Sequence, residues 1–96
     1  MTDIYDDVAF CLDGATAAKP LALDGLISCI DWRQHMIATR DEIAAALLRL
    51  RGEGRVAGTA AGGYFATPPG DDAAFAEPTQ AEHDAAYAKY DERMRR

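Results

Sequence analysis

Only one stretch of this sequence brings a thiol, a carboxylate and an imidazole close together: Cys29, Asp31 and His35. Asp31 and His35 are four positions apart, which on a continuous helix would set a base beside its orienting carboxylate. No nucleophile motif, metal-ligand quartet or phosphate-cradling glycine loop accompanies them. The expectation is therefore a non-enzymatic chain with no catalytic, cofactor-binding or metal-binding residues. His35 is read as structural, bonding backbone in the turn before Thr39, and Trp32 as a plug of the core. Cys11 and Cys29 lie in separate apolar patterns without a Cys-x-x-Cys pairing, so they are read as buried, reduced thiols.

The remaining chemistry is that of binding. Residues 1–24 carry five acids against Lys19, residues 25–67 four acids against five arginines, and residues 68–96 seven acids against four bases, for a net charge of −6. An acidic exterior repels nucleic acid at long range, and only the middle segment escapes that objection. Its cations are Arg33, Arg40, Arg49, Arg51 and Arg55, a residue type suited to phosphate and equally to carboxylate. Arg33, Arg40, Arg51 and Arg55 would form a basic edge beside a central helix unless they are neutralised by Asp31, Asp41, Glu42 and Glu53. Neutralisation is the reading adopted.

These side chains must be held by one small core, since 96 residues fall inside the range of a single domain. A first helix is expected from Thr2 to Leu12, within an N-terminal segment 2–13, with Ile4, Val8, Cys11 and Leu12 on its apolar face and Asp3, Asp6 and Asp7 at the positive end of its dipole. After the linker ATAAKP, Pro20 suits the first turn of a second helix. There Leu23, Leu26, Ile27 and Ile30 repeat at i, i+3, i+4 and i+7, and Gly25 is read as a place where another backbone approaches. Thr39 and Glu42 make a capping box for RDEIAAALLRLR, which Gly52 and Gly54 end.

Two short strands, Arg55–Ala57 and Tyr64–Thr67, read as a β-hairpin. Pro68, Pro69 and Gly70 open a loop that Phe75 pins to the domain. Thr79 and Glu82 make a second capping box, and His83, Tyr87, Tyr90 and Met94 form one stripe of the last helix. That stripe either packs back on the first helix or meets its equivalent in a second subunit. No apolar run approaches the roughly 20 residues that span a bilayer, and the acidic start does not suit a secretory signal. No membrane association and a cytoplasmic location are the expectation.

The order helix, short connection, capped helix and hairpin with an aromatic returning strand, residues 23–67, resembles a winged helix-turn-helix domain. DWRQHMIATRDEI, residues 31–43, is also similar to the corresponding junction in a group of small bacterial winged-helix-like proteins. The resemblance implies a mainly α domain with a small β-hairpin, one unit over 1–96. Its winged-helix core would be 20–67, with an added N-terminal helix and a C-terminal loop and helix over 68–96. The chain departs from DNA-binding members in two respects. The usual distinct reader helix is compressed into DWRQHMIA, and the hairpin turn GTAAGG has no Lys or Arg to bring to phosphates.

A helical projection of the third helix, with Ile43, Ala46, Leu47 and Leu50 inward, sets Asp41, Glu42, Ala45, Leu48 and Arg49 outward. Groove readers carry Arg, Asn or Gln at such positions, so carboxylates and aliphatics there point to a protein partner or to self-association. Partner-binding candidates are Arg33, Arg40, Asp41, Ala45, Leu48, Arg49, Arg51 and Arg55. Dimer candidates are His83, Tyr87, Tyr90 and Met94. Duplex DNA is the alternative ligand, through the arginines around the third helix.

Overall fold

Apolar side chains at helical spacing, two capping boxes and a glycine-bounded hairpin determine where the elements fall. A computed structural model describes residues 4–70 and 73–95. The elements run α1 (Tyr5–Asp13), α2 (Leu23–Gln34), α3 (Arg40–Gly52), β1 (Val56–Thr59), β2 (Gly63–Ala66) and α4 (Gln80–Met94). The fold is mainly α with one antiparallel hairpin, and its layout is compatible with a winged helix. The radius of gyration, 12.3 Å, matches the roughly 13 Å of a close-packed 100-residue domain.

One core serves every element. Ile4, Val8 and Leu12 of the N-terminal segment, Leu23, Leu26, Ile27 and Ile30 of α2, and Ile43, Ala46, Leu47 and Leu50 of α3 close around Val56 and Tyr64 of the hairpin, and α4 adds Ala86 and Tyr90. The expected apolar faces of α2 and α3 are thus the buried ones. Expected positions Thr2 and Asp3 lie outside the described residues.

Both capping boxes form. In α3 the Thr39 hydroxyl accepts from the Glu42 amide at 3.2 Å while the Glu42 carboxylate accepts from the Thr39 amide at 2.9 Å, and Thr79 and Glu82 repeat the arrangement in α4. Each satisfies two otherwise orphaned donors and is worth about 1 kcal/mol. Gly54, rather than Gly52, takes the left-handed conformation after α3.

In the hairpin Val56 pairs with Ala66 and Thr59 with Gly63. This shifts both expected strands toward the turn, dropping Arg55 and Thr67 from them, and leaves only residues 60–62 between them. Gly58 and Gly63 make that register possible. Both have positive φ, and a Cβ would lie 2.1 Å from the Gly63 carbonyl at the first and 2.8 Å from Pro20 at the second.

Several expectations are corrected. Pro20 does not enter a helical turn, because Leu21 exchanges both backbone hydrogen bonds with Tyr64, at 2.7 and 2.8 Å, and adds a third short rung to the sheet. Helix α2 therefore starts only at Leu23. Gly25 meets the Leu21 side chain, not another backbone. The connection between α2 and α3 is shorter than DWRQHMIA, because α2 continues through Gln34 and stops where His35 adopts φ 55° as its left-handed cap.

Cys11 and Cys29 are not free thiols. They form a disulfide with a Cα–Cα distance of 6.1 Å that staples α1 to α2. Disulfides persist in oxidising surroundings, so free thiols no longer argue for a reducing compartment. No helix among the described residues is long and apolar enough to cross a membrane. Phe75 pins its loop as expected, its ring 5.8 Å from that of Tyr64, while Gly58 donates to Ala74 and Ala76 donates to Gly58.

Candidate functional site

Turning α3 by 100° per residue with Ile43, Leu47 and Leu50 inward leaves Asp41, Ala45, Leu48 and Gly52 on one line directly opposite. All four are exposed, Leu48 at 47 %. Glu42, expected on this face, is half-buried and committed to its capping box. Arg49 flanks the line with its guanidinium carbon 3.9 Å from the centre of the Tyr5 ring. The outward face of the central helix thus offers one carboxylate, two small residues and a leucine.

The arginines do not form a continuous edge. Arg33 donates from Nε to the buried Asp7 carboxylate at 2.8 Å and lies 3.9 Å over the Phe10 ring. Arg40 stands 3.8 Å from its exposed neighbour Asp41. Arg51 donates to the Ala73 carbonyl at 2.8 Å and lies over Phe75. Arg55 donates to the Tyr5 hydroxyl at 2.8 Å and stands 3.6 Å from Glu53. The Tyr5 hydroxyl in turn donates to Glu53, and that hydrogen bond is the main reason its pKa is raised. Neutralisation by Asp41 and Glu53 is as expected. Asp7 is an added partner, and Asp31 instead accepts from the Tyr90 hydroxyl.

Cys29, Asp31 and His35 do not assemble a reactive centre. Cys29 is in the disulfide, Asp31 takes Tyr90, and His35 donates its amide to the Asp31 carbonyl at 2.6 Å while capping α2. Among the described residues no three His, Cys, Asp or Glu side chains gather as a metal site. A cleft of about 430 Å³ lies between α1, the end of α3 and β2, floored by Leu12 and Leu50. Two of its polar side chains are engaged within the chain, since the Thr67 hydroxyl donates to the Gly54 carbonyl and Arg55 donates to the Tyr5 hydroxyl.

Two exposed aromatics absent from the sequence expectations stand on α1 and α2. Trp32 is no core plug: it is 73 % exposed, the most open of the large apolar side chains among the described residues, and Phe10 is 55 % exposed. Arg33, adjacent to Trp32 in sequence, bridges the two helices by covering Phe10 and bonding Asp7, to which Gln34 also donates at 2.7 Å. The disulfide fixes the same pair of helices. A signal for this was available, because at 100° per residue Trp32 falls opposite the Leu23, Leu26, Ile27, Ile30 stripe and Phe10 opposite the Ile4, Val8, Leu12 stripe.

The C-terminal stripe packs on α2 rather than α1. His83 and Tyr90 are buried within the chain and Tyr87 is half-buried, with its hydroxyl donating to the Ala38 carbonyl. Arg93 completes the contact through Asp24. Of the four dimer candidates only Met94, 61 % exposed, is open to a second subunit. The physical reason is Ala86, buried beside them, which lets α4 approach α2 closely enough for the long side chains to reach past it.

His83 is 2 % exposed, and its Nδ1 has no hydrogen-bond partner among the described residues. Burial lowers its pKa below the ordinary 6.5; Arg40 lowers it further, while Asp84, Glu77 and Glu82 oppose. The unfolded chain therefore binds a proton more readily than the folded one. The stabilising contribution is complete above pH 6.5 and is lost as pH falls from there toward the folded value. The urea midpoint is expected to decline between pH 7.5 and 5.5 (about two pH units around the ordinary histidine value). His83→Leu should flatten that decline, and an unchanged slope would show that another group titrates.

Comparison with protein families, with curated proteins and with solved structures gives no match.

Proposed function

We propose that this chain is a winged-helix-type domain without catalytic machinery, and that it binds a protein partner rather than duplex DNA. The observation that carries this reading is the exposure of two aromatics, Trp32 and the Phe10 ring that Arg33 covers, on two helices locked together by Cys11–Cys29. Tryptophan and arginine dominate the binding energy of protein interfaces. A rigid aromatic surface also loses little side-chain freedom on association.

The layout supports the fold half of the reading. Helix α2, a five-residue connection over 35–39, the capped α3 and the hairpin follow in winged-helix order, with α4 as an addition on α2. The charges support the ligand half. A DNA-reading helix would bury its outward face against phosphates, where Asp41 would be desolvated beside like charge. The three residues between the strands, Ala60, Ala61 and Gly62, supply no cation to a groove. Arg33, Arg51 and Arg55 are each already bonded inside the molecule. Releasing Arg33 would strip buried Asp7 of its countercharge and leave it the Gln34 amide alone, a cost of several kcal/mol for a buried charge.

A polarisation titration against a labelled duplex at low salt tests the choice of ligand. The expected result is no saturable binding beyond weak association that disappears with modest salt. Tight binding with a steep salt dependence would overturn the proposal, because it requires several arginines on phosphates at once.

A further inference from the structure

Helix α4 rests chiefly on α2, and its buried strip is His83, Ala86 and Tyr90, with Tyr87 half-buried beside them. Open hollows flank its first turns on both sides. One, of about 240 Å³, lies between Asp84 and the start of α3 at Thr39, Arg40 and Asp41. The other, of about 260 Å³, lies between Glu82 and Ala85 of α4 and the hairpin-turn residues Ala60 and Ala61. Ahead of the helix the chain is pinned to the hairpin at Ala76, which donates to the Gly58 carbonyl and accepts from the Tyr64 hydroxyl. The helix can therefore part from α2 without disturbing the sheet.

One polar group in the strip is unlike the others. The Tyr87 and Tyr90 hydroxyls donate to the Ala38 carbonyl and to Asp31, whereas His83 Nδ1 is buried with no hydrogen-bond partner among the described residues. In the neutral imidazole that atom is a bare acceptor. Protonation turns it into an unmade donor and adds a buried charge, which costs far more. The surrounding charges divide: Arg40 of α3 opposes the cation, while Glu77 ahead of the helix and Glu82 and Asp84 on it favour it. Asp24 and Asp31 of α2 face the other half of α4, where they hold Arg93 and Tyr90.

We infer that His83 is a proton latch: its neutral ring lets α4 dock on α2, and its protonation releases the helix while α1, α2, α3 and the hairpin keep their packing. Burial makes the docked ring less basic than a free one, so every opening that exposes His83 becomes more populated as pH falls below the ordinary 6.5. Between pH 7.5 and 5.5 the gain reaches at most about tenfold. Phe10 and Trp32 lie off α4, so the latch and the protein-binding reading can fail separately.

Native-state hydrogen exchange of the whole oxidised chain in low urea, corrected for the intrinsic rate at each pH, reads the latch amide by amide. The α4 amides are expected to exchange through an opening with lower protection and a smaller urea slope than Leu47 and Leu50 of α3, and to lose several-fold protection, up to about tenfold, between pH 7.5 and 5.5. His83→Leu should remove that pH dependence. Titration of the His83 ring protons in the unsubstituted chain needs no variant, and its midpoint should fall below 6.5, the ordinary value. An α4 that opens only with the whole fold, protection indifferent to pH, a pH dependence retained in His83→Leu, or a ring midpoint at or above the ordinary value would each overturn the inference.

Discussion

Tyr64→Ala is expected to destabilise the fold by about 4 kcal/mol, the range for removing a large aromatic from a core. Tyr64 is first by volume among the fully buried side chains and joins three segments distant in sequence. Its backbone forms the two-way bridge to Leu21 ahead of α2, and its ring lies beside Phe75 of the loop. Its hydroxyl donates to the Ala76 carbonyl at 2.7 Å. Burial raises the hydroxyl's pKa, so it remains a donor throughout the range where the protein is handled.

Tyr64→Phe separates these roles. It keeps the ring and removes only the bond to Ala76, so about 1 kcal/mol is expected. Urea unfolding checks both, with the midpoint falling and the slope unchanged if the native fold is retained. A loss below about 1 kcal/mol for the alanine variant would mean the side chain is not enclosed as described.

Breaking Cys11–Cys29 is expected to cost nearly as much. The bridge closes a loop of sequence separation 18, and the loss of unfolded-state entropy from a loop of this size is worth about 3 kcal/mol. In a domain this small that corresponds to a fall in Tm of roughly 15 °C. Paired Cys11→Ser and Cys29→Ser substitutions and simple reduction should give similar shifts. Titration of the unfolded, unreduced chain should find no thiol. Two reactive thiols, with a Tm indifferent to reductant, would restore the reduced-thiol reading and remove the staple that holds the Phe10 and Trp32 surface rigid.

Patterning made much of this legible before any coordinates. The i, i+3, i+4, i+7 run of α2 and the Thr39–Glu42 and Thr79–Glu82 boxes are local signals, since each is decided by residues within two turns of one another, and they locate three helices and their inward faces. The outward line of α3 follows from the same projection. What was not legible depends on distance in the chain. Leu21 leaves helical territory because Tyr64, far along the sequence, offers it a strand partner. Cys11 reaches Cys29 only once α1 folds across α2.

Trp32 is a different kind of miss. Its size suggested a core position, but its angle on α2 put it in solvent, and geometry outweighed hydrophobicity. Periodicity sets His83, Tyr87 and Tyr90 on one side of α4, but it does not name the surface a helix packs on. Asp31 and Ala38, which receive Tyr90 and Tyr87, identify that surface as the α2 side.

Trp32 is the chain's single tryptophan, so its fluorescence reports on the proposed binding surface without interference. Quenching by neutral acrylamide, by caesium and by iodide, each relative to free N-acetyltryptophanamide, measures both how open the indole is and the sign of the potential around it. An exposed Trp32 beside an arginine already neutralised by Asp7, on an acidic protein, predicts strong acrylamide quenching and caesium at least as effective as iodide. A shielded indole, or iodide quenching well above caesium, would instead indicate a buried tryptophan or a positive surface, and neither fits a protein-binding patch of this kind.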